Sequence, residues 1–197
     1  QMVAKGHDFR RMTLVAAVEP DGALFTSDFR APERLFALLM QAAGRAGRDA
    51  AQAASSEMWV QTWHPQHPLF AALRTHNFDA FAASQLQERQ QAGLPPHTSL
   101  ALLRADAKTV EAADAFLKAA AEAALALPAV NGVTVYPPVP LHVARVADVE
   151  RMQMLLESPS RANLQRLLTQ WHEGLQTLRS KHKGVIRFAV DVDPLAI

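Results

Sequence analysis

Gly93-Leu94-Pro95-Pro96-His97-Thr98-Ser99-Leu100-Ala101-Leu102-Leu103-Arg104-Ala105 separates two differently built halves of this chain. Proline lacks an amide donor and pushes the residue before it into extended backbone, so Gly93 to Pro96 must stop any helix that arrives there. A short apolar run follows at once. Residues 100–105 are therefore expected to form a buried strand, and a domain division is expected close to the two prolines.

Toward the C-terminus the elements alternate. Residues 108–127 are alanine-rich and place Val110, Ala113, Leu117 and Ala120 on one helical face; residues 133–136 make a second strand, closed by Pro137-Pro138-Val139-Pro140. Val149 to Leu156 form a third strand, with Met152, Met154 and Leu156 on one side and Arg151 and Gln153 on the other. The methionines alternate in step with the strand, so they belong to a core rather than to a ligand site. Ser158-Pro159 is read as the cap of a helix carrying Leu164, Leu167, Leu168, Trp171, Leu175 and Leu178. In the last strand Ile186, Phe188, Val190 and Val192 alternate with Arg187 and Asp191. The order βαββαβ is that of the split-βαβ, ferredoxin-like α+β arrangement.

Toward the N-terminus, Leu69–His76 and Asp79–Gln91 read as two helices, the second with Phe78, Phe81, Ala82 and Leu86 on its apolar face. Glu57 to Trp63 is a strand candidate. His64-Pro65-Gln66-His67-Pro68 holds a His-x-x-His pair, but zinc takes four ligands and no others are in view, so a capped turn is expected and no metal is assigned. Residues 13–19 read as a strand of a parallel sheet covered on both faces. A helix starting at Pro32 puts Leu35, Leu38, Leu39 and Ala42 on one face and delivers Gln41 to its C-terminal end. Gly44-Arg45-Ala46-Gly47-Arg48 follows. Two guanidiniums on a small-residue backbone make a fork that can approach an anion closely, phosphate above all. The alternative is a helix C-terminus stopped by glycines, its arginines facing the dipole or water.

The 197 residues suit one large or two small domains, and 49% hydrophobic content can build real cores. A formal net charge of +1 excludes a polybasic binder, so any nucleic-acid contact must come from a local patch. Two are available: Lys5, Arg10, Arg11, Arg45 and Arg48 in the first half, and Arg145, Arg151, Arg161, Arg179, Lys181, Lys183 and Arg187 in the second. Arg179 to Lys183 end a helix, where cations suit the dipole; phosphate contact is the other reading. Asp21, Asp28, Asp191 and Asp193 form no pair at a spacing suited to acid/base work, so no general base is assigned. The absence of cysteine excludes disulfides and thiolate metal sites and is compatible with the cytoplasm. No apolar run nears the roughly 20 residues that span a bilayer, so no membrane partner is expected.

The stretch Gln41 to Arg48 resembles Gln-x-x-Gly-Arg-x-Gly-Arg, the last conserved motif of superfamily 2 helicases. Lys5-Gly6-His7-Asp8-Phe9, Thr13 to Val18, Asp21-Gly22, Asp28-Phe29-Arg30-Ala31-Pro32-Glu33-Arg34, His67-Pro68, Asp79-Ala80-Phe81, Glu88-Arg89, Leu94-Pro95-Pro96 and Val190-Asp191-Val192-Asp193-Pro194 extend the likeness. In that order they are similar to the C-terminal part of the primosomal replication-restart helicases, the PriA family. The resemblance implies that residues 1–76 are the C-terminal part of a RecA-like second lobe (α/β), 77–96 a helical linker, and 97–197 a ferredoxin-like DNA-binding domain similar to a ribosomal-protein module. It implies an ATP-dependent 3′→5′ DNA helicase that acts in replication restart and primosome assembly at stalled forks.

In the family Gln41, Arg45 and Arg48 would be the catalytic set, meeting the γ-phosphate of ATP, with one arginine as the finger. Lys5 and His7 would lie in a loop used against DNA and nucleotide, unless they are simply a polar entry loop; Arg179, Lys181 and Lys183 are the nucleic-acid candidates at the other end. ATP and Mg2+ are expected in the complete enzyme and none on this chain alone, because neither a Gly-x-x-x-x-Gly-Lys-Ser/Thr loop nor an acidic magnesium box occurs. The family's zinc site is built from cysteines upstream. Implied partners are single-stranded and forked DNA, primosome proteins and single-stranded-DNA-binding protein, in the cytoplasm. Gln1-Met2 match the end of a Gly-Thr-Gln-Met motif, so a fragment is expected. The alternative is a non-enzymatic ferredoxin-like module that docks on nucleic acid or protein.

Overall fold

The computed structural model describes residues 12–26, 28–46, 55–195 and 197. They fall into two compact units, divided between Glu88 and Arg89.

The first unit contains β1 (Leu14–Val18), α1 (Asp21–Leu24), α2 (Ala31–Ala43), β2 (Glu57–Gln61), α3 (Pro68–Arg74) and most of α4 (Phe78–Gln91). The strands pair in parallel, from Leu14 opposite Glu57 to Val18 opposite Gln61. Among the described residues the pair has no third strand, and Leu14 and Val18 are exposed while Val15 is buried. The expectation of a strand covered on both faces is thus corrected: β1 alternates, as a strand with one covered face does.

Pro32 stands in the first turn of α2, where its missing amide costs nothing. Asp28 secures that turn, accepting from the Arg30 amide at 2.9 Å and pairing with Arg34 at 2.6 Å. The helix buries Leu35, Phe36 and Leu39 in a core with Leu69, Phe70, Leu73 and Phe81. Leu38, expected inside, is 44% exposed, while Phe36 is 3% exposed. The buried arc is turned toward Phe36 because its ring stacks on Phe81, centroids 4.4 Å apart. Similarly α4 buries Phe81 and Gln85 and leaves Phe78 and Leu86 outside.

Gly93, at φ +64°, supplies the left-handed residue that ends α4, and the Leu94 amide closes on Arg89 O at 2.8 Å. The second unit then runs β3 (Ser99–Ala107), α5 (Val110–Leu125), a 3-10 turn at Pro128–Val130, β4 (Thr134–Val135), β5 (Val139–Val146), β6 (Val149–Ser158), α6 (Arg161–Lys181) and β7 (Val185–Val192). The strand order is β4-β6-β3-β7 with every pairing antiparallel. Because β3 lies along the whole of β6 on one side, β4 and β5 share the other as one interrupted edge.

Two expectations are corrected here. β4 ends ahead of Pro137-Pro138 as expected, but Val139 and Pro140 already begin a further strand, β5, paired with Gln153 and Met152, so the order is βαβββαβ rather than βαββαβ. Proline is tolerated on an edge, where its missing donor faces away from the ladder. The helix cap is Ser160, whose hydroxyl accepts from the Asn163 amide, and not Ser158. Ser158 is wholly buried, donating to Gly132 O at 2.7 Å.

Both long helices pack on one sheet face. The core joins Ala101, Leu103, Ala105, Met152, Met154 and Leu156 with Phe116, Leu117, Leu164, Leu167, Trp171 and Leu175 from the helices. Trp171 donates its indole N–H to Ala120 O at 2.9 Å. Val110 is exposed at the start of α5, and Phe116 takes the core place instead. In β7 the register shifts between Asp106 and Ala107, so Ile186 bulges outward and Val185 is the buried residue.

Candidate phosphate and nucleic-acid contacts

Gln41 lies in the last turn of α2, on its exposed side. Gly44 caps that helix at φ −67°, in helical rather than left-handed conformation, and the backbone continues in tight turns. The Arg45 amide donates to Ala42 O and the Ala46 amide to Ala43 O, each at 3.1 Å. Arg45 is half-buried, on a turn continuous with a helix whose other end is seated in the core. Its partner in the motif, Arg48, lies outside the described residues, as do Lys5, His7, Arg10 and Arg11. What is in place is therefore one glutamine and one arginine, four residues apart at a helix end.

The loop after β2 is locked by Asp21. Its carboxylate accepts from the Thr62 hydroxyl and, at 3.0 Å, from the Trp63 amide. These bonds, Thr62 first, hold its carboxyl below the usual 3.8. Asp21 is thus a turn anchor. His67 uses Nδ1 to accept the Leu69 amide at 3.2 Å and so caps α3. The capped turn expected of His-x-x-His is what forms. Among the described residues no three His, Cys, Asp or Glu side chains converge on a possible metal position.

Arg179 and Lys181 stand in the last turn of α6, and Lys183 in the loop beyond. Arg179 reaches sideways and donates from Nη2 to Ile186 O at 3.0 Å, pinning the bulge of β7. Neither Lys181 nor Lys183 has an ion-pair partner among the described residues. The helix end is closed by His182, whose amide meets Leu178 O at 3.1 Å and whose ring stands edge-on to Phe116. These cations fit a helix terminus, and Arg179 also lines a depression of about 810 Å³ with His172, Arg187 and Phe188.

Another group of charges is gathered. On the sheet face away from the helices, Arg151, Asp106 and Arg187 are direct cross-strand partners on β6, β3 and β7. Asp106 Oδ2 accepts from Arg187 Nε at 2.6 Å, and Oδ1 lies 3.5 Å from Arg151 Nε. One row further along, Arg104 pairs with Asp191 at 3.2 Å. Both arginines of the first row stand among the basic residues read from the sequence, but Asp106 does not. Its role depends on strand pairing between segments about 45 and 80 residues apart, and the one local sign of it is a carboxylate in the apolar run of β3.

Among the described residues, no helix is long and apolar enough to cross a membrane. The family model described as "Primosomal protein N C-terminal domain" matches residues 90–195. The chain is 40% identical over 194 residues to the replication restart protein PriA of Haemophilus influenzae, covering 98% of this chain and 26% of that protein. It is 32% identical to the protein of that name from Synechocystis, over 100% of this chain and 22% of that one. For Bacillus subtilis the figures are 30% identity, 98% and 23%. The chain thus spans about a quarter of the length of these curated relatives. A solved structure, the de novo designed protein Foldit4, is similar at TM-score 0.36 and 12% identity over 49% of this chain and 97% of that one, too slight a likeness to argue from.

Proposed function

Because the chain belongs to the Primosomal protein N C-terminal domain family, we propose that it acts in replication restart as part of an ATP-dependent 3′→5′ DNA helicase, supplying an arginine motif and a DNA-binding module. The observation that carries this reading is the seating of α2: a helix held by Leu35, Phe36 and Leu39 presents Gln41 and Arg45 at its far end. A finger must be placed before the reaction begins, since its effect comes from charge already in position when the phosphoryl group is transferred. A turn continuous with a packed helix provides that. Arg48, three residues on, would complete the fork.

In this reading residues 1–76 are the end of a RecA-like second lobe, 77–96 a linker and 97–197 the DNA-binding domain. The antiparallel order β4-β6-β3-β7 with both helices on one face supports a ferredoxin-like assignment for the last. ATP and Mg2+ would be held chiefly by residues beyond this chain, while Arg45 and Arg48 stabilise the charge that develops on the γ-phosphate. Fork DNA, primosome proteins and single-stranded-DNA-binding protein are the partners proposed. The compactness of residues 89–195 also supports the plainer reading of a binding module that acts without catalysis.

The test is to place Arg45→Ala and Arg48→Ala, singly, in the longer protein that carries both motor lobes. ATP turnover is expected to fall by about three to five orders of magnitude for the finger residue, with DNA affinity within about twofold of the parent, as expected for groups that act on transition-state charge rather than on binding. Undiminished turnover in both variants would remove the arginine-finger assignment.

A further inference from the structure

We infer that the Arg151–Asp106–Arg187 row, on the face of the second unit's sheet away from the helices, is a phosphate-binding site, which takes the phosphodiester backbone of a nucleic-acid strand. The inference rests on the reading of residues 97–197 as a DNA-binding module, and assigns the contact to the sheet face rather than to the helix end at Arg179 to Lys183.

The geometry is that of a fork held open. Neighbouring strands lie about 4.8 Å apart, so the backbones of Arg151 and Arg187 stand about 10 Å apart, on either side of Asp106. Both guanidiniums turn their Nε toward the one carboxylate. Besides Nε, each arginine carries a pair of Nη groups. Among the described residues those groups have no hydrogen-bond or ion-pair partner, and Arg151 Nε, though within ion-pair distance of Asp106, makes no hydrogen bond. Nη pairs are the donors that grip a phosphate with two parallel bonds.

Charge points the same way. Other arginines on and beside this sheet are matched: Arg104 by Asp191, Arg161 by Asp193, and Arg145 by both Asp148 and Glu150. In the Asp106 row two cations share one anion. The row faces a depression of about 340 Å³ lined by Asp106, Arg151, Arg187, Val146, Val149 and Ile186. Its apolar wall suits the carbons of a sugar, and Ile186 is there because the bulge turns it outward, held by Arg179 through its carbonyl. Arg187 is 76% exposed at the side chain and Arg151 30%, so the site opens to solvent and can be reached.

The experiment follows the arginine side-chain Nε–Hε resonances of the full 197-residue chain by NMR in two titrations, with inorganic phosphate and with a twelve-residue oligothymidylate. Anisotropy with the same oligonucleotide across a salt series runs beside them. The oligonucleotide is expected to shift Arg151 and Arg187 strongly, and phosphate alone to shift the same two weakly. Arg151→Gln with Arg187→Gln should weaken oligonucleotide binding about tenfold or more and lower the salt slope by about 0.7 for each phosphate no longer neutralised. Arg151→Lys with Arg187→Lys, which keeps the charge and removes the fork, should fall between. The double exchange of Lys181 and Lys183 to Gln should bind within about twofold of the parent.

If the chain binds the oligonucleotide while the two resonances stay still, the site is overturned and the DNA-binding reading stands. If phosphate moves them but the oligonucleotide does not bind, the site is one for a free phosphate group and the DNA-binding reading fails. No shift with either ligand leaves Asp106 as a cross-strand ion-pair partner only. The titrations need no variant, so a poorly folding mutant cannot obscure the answer.

Discussion

His67 caps α3 through a lone pair on Nδ1, and it can do so only while the ring is uncharged. Burial lowers its pKa below the ordinary 6.5, opposed by Glu88 and assisted by His64. The folded ring therefore takes up a proton less readily than the unfolded one. The stability this contributes is complete above about pH 6.5 and is lost as pH falls through the folded value. Losing the cap costs about 0.5–1 kcal/mol, the low end of the usual range because the half-buried ring is screened by solvent. Denaturant titrations between pH 7.5 and 5 should show that loss, and His67→Asn, which caps without titrating in this range, should flatten it. An unchanged slope in the variant would mean that another group carries the dependence. The cap could be read from the sequence because Pro68 fixes the first helical residue and leaves His67 the place before it. The burial of Phe36 in place of Leu38 could not. It depends on the ring of Phe81, 45 residues away and invisible to the periodicity of α2.

At the scale of elements, long amphipathic segments are legible and edges are not. The alternation of Met152, Met154 and Leu156 against Arg151 and Gln153 survives in β6 because both faces of that strand meet constant surroundings, buried against the helices on one and half-buried along its length on the other. β5 escapes the same reading because its prolines look like a stop and its register with β6 shifts between Pro140 and Arg145, which breaks any period of two. The β5–β6 turn is hidden as well. Val146 faces Val149, so Ala147 and Asp148 form a two-residue turn, and both have positive φ, 47° and 61°. Hairpins of this kind favour Asn-Gly, and alanine is poor at the first position because its Cβ crowds the left-handed backbone. Ala147→Asn should therefore stabilise the chain, by about 0.5–1 kcal/mol, read as a higher denaturant midpoint with an unchanged slope. A lower midpoint would mean that the turn is not left-handed there.

At the scale of the whole molecule, the candidate sites divide by what sequence can carry. Gln41 and Arg45 are four residues apart on one helix end, so the motif that suggests them is local and readable. The row of Arg151, Asp106 and Arg187 is assembled by the sheet from three separate strands, and only the fold brings it together. The reliability of that row depends on β3, which is paired along both sides and buried through most of its length. In the first unit β1 and β2 pair only with each other among the described residues, and Leu14 and Val18 face solvent. Opening β3 must break two ladders and expose the core around Trp171, whereas separating β1 from β2 breaks one short ladder beside a smaller core. Native-state hydrogen exchange should accordingly be slowest at Leu102, Leu103, Arg104 and Ala105, approaching the rate set by global unfolding of their unit. It should be faster by at least about two orders of magnitude at Val15 to Ala17, matching an opening free energy lower by about 3 kcal/mol. Equal protection in the two strands would show that β1 is covered by something beyond the pairing seen here, and fast exchange along β3 would remove the rigid base on which the arginine row depends.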